Sequence, residues 1–399
     1  MSEAPNEPPR TSRLVWVVAT AAVVIVAAIV AIVTINLHSE DNSSSQGAAA
    51  SASATTRRHT ETITDEAGRQ VSVQVPVQRA YSSYSYTTEF IRALGGVRSI
   101  VATDSSYDPA KSPTNADYWS AFAKLPAVSS TTTSKDIDYD ALIAANPEVA
   151  FFLSNEDYKT AAAKLEPFGI KVVVVSTSNP SNFEKDLDIL SRAYDAAPRA
   201  QQIRDFYADI THQLTTRLAG TSAVDTYWEN GSANTTTAAG SVWENLITLA
   251  GGRNIFGDIN FNDPHQHPSG FNFATPVDPA AILERNPAYV FRLEISSSIS
   301  GQTPFTHDHA SEVLGELASR PGWARIKAVQ NKNVFVLNNF LISALNKQLG
   351  ALTIASLLHP DKFKDLDLDK YFRKWVVDFQ GVPAANYRPV TDYYYQYTG

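Results

Sequence analysis

DYDALIAANPEVAFFL (Asp138–Leu153) and DPAAILERNPAYVFRL (Asp278–Leu293) follow one plan. Each opens on Asp, runs through a short amphipathic helical stretch, stops at Asn-Pro and continues as an apolar run. The residue before a proline is pushed out of the α region, so the helix ends at the Asn. A short continuous apolar run reads as a strand buried on both faces, the habit of parallel sheets. Two copies of a helix–strand unit far apart in one chain predict two lobes of the same type.

The neighbouring sequence extends both lobes. VRSIVAT (97–103), EVAFFL (148–153) and IKVVVVS (170–176) read as strands, with YTTEFIRALGG, DYDALIAANPE and DYKTAAAKLEPFG as the helices between them. Later, AVDTYWEN, AYVFRLEI and NVFVLNN read as strands, and SVWENLITLAGG, DPAAILERNP, ISALNKQLGALTIASLLHP and DLDKYFRKWVVDFQG as helices. Alternating strand and helix means an α/β fold with parallel sheets. At 399 residues, two lobes also agree with usual domain sizes. Between the lobes, Ser181–Ala219 is amphipathic throughout. About 40 residues of helix would reach roughly 50–60 Å, the length of a strut. Pro198 within it reads as a kink or as the first-turn proline of a second helix. Periodicity does not place the tyrosine-rich end, NYRPVTDYYYQYTG.

Composition narrows the function classes. The net charge is −8 with no basic stripe, so a nucleic-acid partner is not expected. The chain has no cysteine, which excludes disulfides, thiolate metal sites, cysteine nucleophiles and an acylated lipoprotein start. Leu14–Ile35 carries no charge, follows Arg10 and Arg13 and precedes Glu40 and Asp41. A run of this length spans a bilayer core of about 30 Å and, by the positive-inside rule, leaves Met1 in the cytoplasm and the bulk of the chain outside. The alternative is cleavage near Ala48–Ala54. Ser39–Thr56 is a polar tether. Asn42, Asn230 and Asn234 each open a glycosylation sequon.

In order and spacing the motifs resemble the substrate-binding components of ABC importers for iron chelates, haem and corrinoids. The pieces are ITDEAGRQVSVQVPVQRAY, TEFIRALGGVRSIVATD, LPAVSS, DYDALIAANPEVAFFL, KLEPFGIKVVVVS, WENLITLAGGRNIFGD, VDPAAILERNPAYVFR, RPGWARIKAVQNKNVFVL and LHPDKFKDLDLDKYFRKWVVDFQG, covering about Ile63 to Gly381. The resemblance implies two Rossmann-like α/β lobes bridged by one long helix, with a ligand cleft between them and, here, an N-terminal transmembrane helix in front. It implies a binder rather than an enzyme, with no intrinsic cofactor. The expected partners are an ABC permease with its ATPase, a metal complex (an iron chelate or a corrinoid- or haem-like ring) and the membrane, and the expected state is a monomer. The expected organisation is a cytoplasmic segment 1–13, an anchor 14–35, a tether 36–60, an N-terminal lobe 61–178, a bridging helix 179–220, a C-terminal lobe 221–381 and a tail 382–399.

Loops at the carboxyl ends of parallel strands should line such a cleft. They nominate Tyr84, Tyr86, Tyr107, Trp228, Asn339 and Phe340, whose flat walls and polar tips suit a macrocycle or chelate. Arg292 stands alone in VFRLE and is expected to face solvent or ligand. Cations are otherwise scarce in these loops, which points to a neutral or cationic complex. The resemblance also implies an acidic docking residue on each lobe. Asp140 matches in the first. In the second the position is Ala280, with Asp278 or Glu284 as substitutes, and Asp278 also reads as an N-cap.

Half of the eight histidines lie in two H-x-H pairs, His265 with His267 in FNDPHQHPSGF and His307 with His309 in FTHDHAS. On an extended segment such a pair shares a face and can ligate Zn or Fe. Direct capture of a transition metal ion is therefore the competing reading. A metallohydrolase built on HDH lacks a helical H-E-x-x-H, and a signalling ectodomain would need more than the short cytoplasmic segment.

Overall fold

The computed structural model describes residues 57–108, 118–130, 136–260, 263, 275–294, 304, 306–342 and 347–399, and all that follows concerns the unit Thr56–Gly399. The expected anchor, nearly all of the tether, and the pair His265 and His267 lie outside the described residues. No helix among the described residues is long and apolar enough to cross a membrane.

After a hairpin of β1 (His59–Thr64) and β2 (Gln70–Val75), the chain enters a five-stranded sheet. Its strands are β3 (Ala80–Ser82), β4 (Ile100–Asp104), β5 (Ala127–Ser129), β6 (Val149–Leu153) and β7 (Lys171–Val175), all parallel, in the order β5-β4-β3-β6-β7. Helices α1 (Ser85–Ala93), α2 (Tyr139–Ala145) and α3 (Tyr158–Leu165) connect them. The second sheet is ordered β10-β8-β12-β13-β14. Its first four members, β8 (Val224–Asn230), β10 (Gly252–Asn254), β12 (Tyr289–Glu294) and β13 (Val334–Asn338), are parallel. The short pair β9 (Thr235–Thr236) and β11 (Thr275–Pro276) lies apart.

The repeated sequence motif folds the same way twice. Asp138 caps α2 by accepting from Ala141 N, and Asp278 caps α7 (Pro279–Arg285) by accepting from Ala280 N. Both helices end on an asparagine in the left-handed region, Asn146 at φ 52° and Asn286 at φ 44°. Asparagine tolerates that conformation better than other side chains, and the following proline forbids continuation.

The expected single strut is instead two helices, α4 (Phe183–Ala193) and α5 (Ala197–Leu218). Asp195 breaks them with φ 49°, and Pro198 sits in the first turn of α5, where its missing N–H costs no helical bond. The break follows Tyr194, whose hydroxyl shares a hydrogen bond of 2.8 Å with Ser99 Oγ. With 22 residues, α5 spans about 33 Å rather than 50–60 Å.

The tyrosine-rich tail completes the second sheet. β14 (Tyr394–Gln396) runs antiparallel to β13, pairing Val336 with Tyr395 and Leu337 with Tyr394. It covers an edge that would otherwise offer free backbone groups to another chain. Just before it, Val390 and Tyr393 are buried, Tyr393 against Phe340 and Phe372. Tyr393→Ala should therefore cost about 3 kcal/mol through the cavity left in the core. Urea denaturation checks this, and a midpoint equal to the parent's would show that the tail carries no stability.

Candidate functional site

In the first sheet β4 and β5 wind to one side of β3 while β6 and β7 wind to the other, so the strand order reverses between β3 and β6. At such a switch point the two outgoing chains diverge and leave a crevice beyond the strand ends. Ser83, Tyr84 and Tyr86 occupy it. Tyr84 precedes α1 in extended conformation and Tyr86 lies in its first turn, so the two half-buried rings meet edge to face at 4.8 Å. The surrounding strand ends supply hydroxyls. Ser154 and Ser176 share a hydrogen bond of 2.6 Å, and Thr87 and Thr177 one of 2.8 Å. Glu156 anchors the rim, accepting from Ser83 Oγ at 2.5 Å and Leu153 N at 2.8 Å. Burial, and next the Glu156 charge, push the Tyr84 phenol above its ordinary value. A phenol so placed stays protonated and donates hydrogen bonds rather than binding a metal as phenolate.

The second sheet reverses its order between β8 and β12. There the crevice is filled by charge. The parallel register sets Arg292 opposite Glu229. Arg292 Nη1 donates to Glu229 Oε1 at 2.5 Å, Arg292 Nε to Glu294 Oε1 at 2.8 Å, and Arg320 Nη1 to Glu229 Oε2 at 2.6 Å. The fully buried Glu229 carboxylate also accepts from Asn234 N and Tyr227 Oη. Arg292, expected to stand alone for solvent or ligand, is thus paired inside the protein. One partner, Glu294, stands on its own strand; the other is the glutamate of YWEN on the adjacent strand, a contact that one strand read in isolation does not reveal.

Other expectations are corrected in the same way. Tyr107 was expected as a cleft wall, but the turn Ser105–Tyr107 folds its ring onto Trp119 at 4.8 Å and Phe122 at 5.7 Å. Trp228 lies on a strand covered on both faces and packs against Phe291. Phe340 is turned inward by the 3-10 turn Asn339–Ile342, against Tyr118 at 5.1 Å. All three are core residues. Asn339 is half-buried at the start of that turn. Asn230 is buried at the end of β8, and Asn234 is half-buried. Asp140, Asp278 and Glu284 are exposed, with the Asp278 carboxylate engaged in its cap.

His307 and His309 do not lie on an extended loop. Thr306 caps α8 (His307–Ser319), which puts both histidines in its first turn. Residues two apart on a helix point about 200° apart, so the pair cannot share a ligating face. His307 stands edge-on to Tyr395, and His309 Nε2 lies 3.9 Å from Glu294 Oε2. Among the described residues no three His, Asp or Glu groups converge on one point.

Two residues at the second lobe's strand-end side were not anticipated. Trp243 lies in the first turn of α6 (Val242–Leu249), and Lys347 opens α9 (Lys347–Leu358), its ammonium 5.8 Å from the Trp243 ring centre. The signal was present: Lys347 is the one charged residue from Leu341 to Leu358.

The fold and these sites have known counterparts. A model of the family described as "Periplasmic binding protein" matches residues 82–340. The chain belongs to that family. Family members are the solute-binding components of ABC importers, act in the periplasm or outside the cell, and are not enzymes. A molybdate-binding protein, MolA of Haemophilus influenzae, is 21% identical over 82% of this chain and 92% of its own. Among solved structures, the TroA-like periplasmic binding protein FepB of Veillonella parvula matches with TM-score 0.65 at 20% identity, over 84% of this chain and 99% of its own. CeuE of Helicobacter pylori, solved as a Ni-His complex, matches with TM-score 0.56 at 16% identity, over 82% of this chain and 98% of its own.

Two measurements follow from the geometry. Glu229→Ala leaves two guanidinium groups without their shared carboxylate and should destabilise the binding protein by about 3–5 kcal/mol in denaturant titration, far more than loss of an exposed pair. Burial pushes the Lys347 ammonium down to about 8. In NMR of the dimethyl-lysine derivative, its resonance should titrate near there while exposed lysines titrate near 10.4; titration of every lysine together would contradict the burial.

Proposed function

We propose that this periplasmic binding protein captures a metal complex, an iron chelate or a corrinoid- or haem-like ring, between its two lobes and delivers it to a permease and its ATPase. The observation that carries the reading is the edge-to-face Tyr84–Tyr86 pair at the first lobe's switch point, with the Tyr84 phenol held protonated and hydroxyls around its rim. Aromatic faces give a ring or chelate large contact area, and the hydroxyl tips fix its orientation. Engagement of Arg292 by Glu229 and Glu294 leaves few cations for a highly anionic chelate. The relatives bind molybdate and a nickel complex, so the scaffold accommodates metal-bearing ligands of several kinds. Direct capture of a bare ion is less well supported, because the helix separates His307 from His309.

In this reading Leu14–Ile35 anchors the chain and the polar segment behind it is the tether. Asp140 docks the first lobe on the permease. For the second lobe Glu284 is the better candidate, since the Asp278 carboxylate already serves its helix cap.

A thermal-shift panel on the full-length chain in detergent tests the proposal, using ferric citrate, a neutral ferric trihydroxamate, haemin, a cobalamin and zinc chloride. A cognate complex at about 100 times its Kd adds about 2.7 kcal/mol and raises Tm. Tyr84→Ala with Tyr86→Ala should weaken its binding about tenfold or more while leaving the unliganded Tm near the parent's. A shift with zinc chloride alone, insensitive to the tyrosines, would refute the reading.

A further inference from the structure

Lys347 and Trp243 meet where the second lobe's strand-end connections begin their helices. Trp243 follows the connection out of β8, and Lys347 follows the connection out of β13. Ser241 caps α6, its Oγ accepting a hydrogen bond from Glu244 N at 3.2 Å. The Lys347 side chain is half-buried and rests over the indole ring. It makes no hydrogen bond or ion pair to any described residue, and burial alone accounts for its depressed basicity. The adjacent Gln348 Oε1 is buried without a partner.

An ammonium withdrawn from water without a counter-ion is costly, and folds tolerate one chiefly where something else supplies the anion. Every other cation near the second lobe's switch point has its carboxylate: Arg292 and Arg320 share Glu229, Arg292 also takes Glu294, and Arg320 takes Glu316. Among the described residues beside that switch point, Lys347 is the half-buried cation without a carboxylate. A cation held over an indole is also fixed in position, since the ring face attracts it without neutralising it. We propose that Lys347, seated on Trp243, is an oxyanion subsite that receives one anionic oxygen group of the transported solute. The subsite rests on the reading that the solute enters between the strand-end loops of the two lobes. It refines the charge of that solute: one oxyanion presented to the second lobe, with an aromatic and hydroxyl surface on the first. A free tetrahedral oxyanion and a carboxylate carried by a metal complex offer the same chemistry to the amine.

The test uses the full-length chain in detergent, with sodium molybdate and sodium phosphate as free oxyanions, ferric citrate and haemin as carboxylate-bearing complexes, and a neutral ferric trihydroxamate as control. In the wild-type protein, acylation of Lys347 by an amine-reactive ester is followed by mass spectrometry of its peptide. The oxyanion that binds should slow acylation of Lys347 at least fivefold relative to exposed lysines and change tryptophan fluorescence. Lys347→Met should weaken that anion at least tenfold, and Lys347→Arg should restore most of it. Protection by molybdate or phosphate assigns the site to a free oxyanion; protection by ferric citrate or haemin alone assigns it to a carboxylate on the complex. If the neutral complex binds while no anion protects Lys347, the subsite is refuted and the metal-complex reading stands. If free oxyanions bind through Lys347 while no metal complex binds, the subsite stands and the metal-complex reading falls. The wild-type footprint decides the matter even if Lys347→Met does not fold.

Discussion

The Arg92 guanidinium sets the relation of the two lobes. It is buried at the end of α1, donates Nε and Nη2 to the Gln380 carbonyl at 3.0 and 2.6 Å, and lies against the rings of Tyr118, Trp119 and Phe122. The Gln380 side chain returns a hydrogen bond to Glu89 O at 3.1 Å. Both partners are buried, so the bonds act in a medium of low polarity, where charge-assisted contacts are strong and misplacement is costly. Arg199 of α5 adds a second tie, from Nε to Ala93 O at 2.8 Å. The aromatic cluster around Arg92 continues through Tyr118 to Phe340 of the second lobe. The two lobes thus share a packed seam, and in the proposed reading a ligand meets walls that are already in place. Preorganisation of this kind saves the ordering cost that a floppy two-lobed binder would bear on each capture.

The two lobes share a supersecondary plan but use their switch points differently. In the first, the crevice between β3 and β6 carries small hydroxyls and the half-buried tyrosine pair and no ion pair among those residues. In the second, the crevice between β8 and β12 is closed by Glu229 and its two arginines. A buried carboxylate serving two guanidiniums is stable only as a complete set, because removing any member strands a charge. In the proposed reading the second lobe therefore meets its ligand at the helix starts of Trp243 and Lys347 rather than at the switch point.

Most of the fold was legible in the amino-acid sequence because its signals are local. Continuous apolar runs such as FFL and VVVV, helix stops at Asn-Pro, and the repetition of one unit from Asp138 and from Asp278 need no knowledge of neighbours. The break at Asp195 was less legible, since a single residue in the left-handed region leaves no periodic trace, although Pro198 marked the place. The tail resisted because an edge strand is defined by its partner, here β13, and not by its own pattern. Site residues divided by the same criterion. Tyr84 and Tyr86 sit in a run too polar for a core strand, and the structure puts both at the switch point. Tyr107, Trp228 and Phe340 looked equivalent along the chain, yet each is turned inward by a 3-10 turn or a doubly covered strand. Arg292 was misread because one of its carboxylate partners, Glu229, lies 63 residues away in sequence, and the other, Glu294, stands two residues on in the same strand and was passed over. The histidine pair was misread because the Thr306 cap turned an assumed loop into the first turn of a helix.

Charge placement offers the sharper guide to what such a cleft receives. A folded chain pairs its half-buried charges wherever it can, so the cations that count toward a ligand are those left over after internal pairing. Counted by residue type, the second lobe's strand-end region offers three cations to a ligand among the described residues, Arg292, Arg320 and Lys347. After the Glu229 set has taken Arg292 and Arg320, the half-buried cation that remains among the described residues there is Lys347. A single buried ammonium complements one oxygen anion, whereas a ligand with three or four would leave most of its charge facing apolar or hydroxyl surface, at a desolvation cost that the hydroxyls of Ser154, Ser176 and Thr177 could offset only in part. In the proposed reading the asymmetry of the walls, phenols and hydroxyls on one side and one cation on an indole on the other, favours a ligand that is itself two-faced: apolar and ring-like toward the tyrosines, and singly anionic toward Lys347.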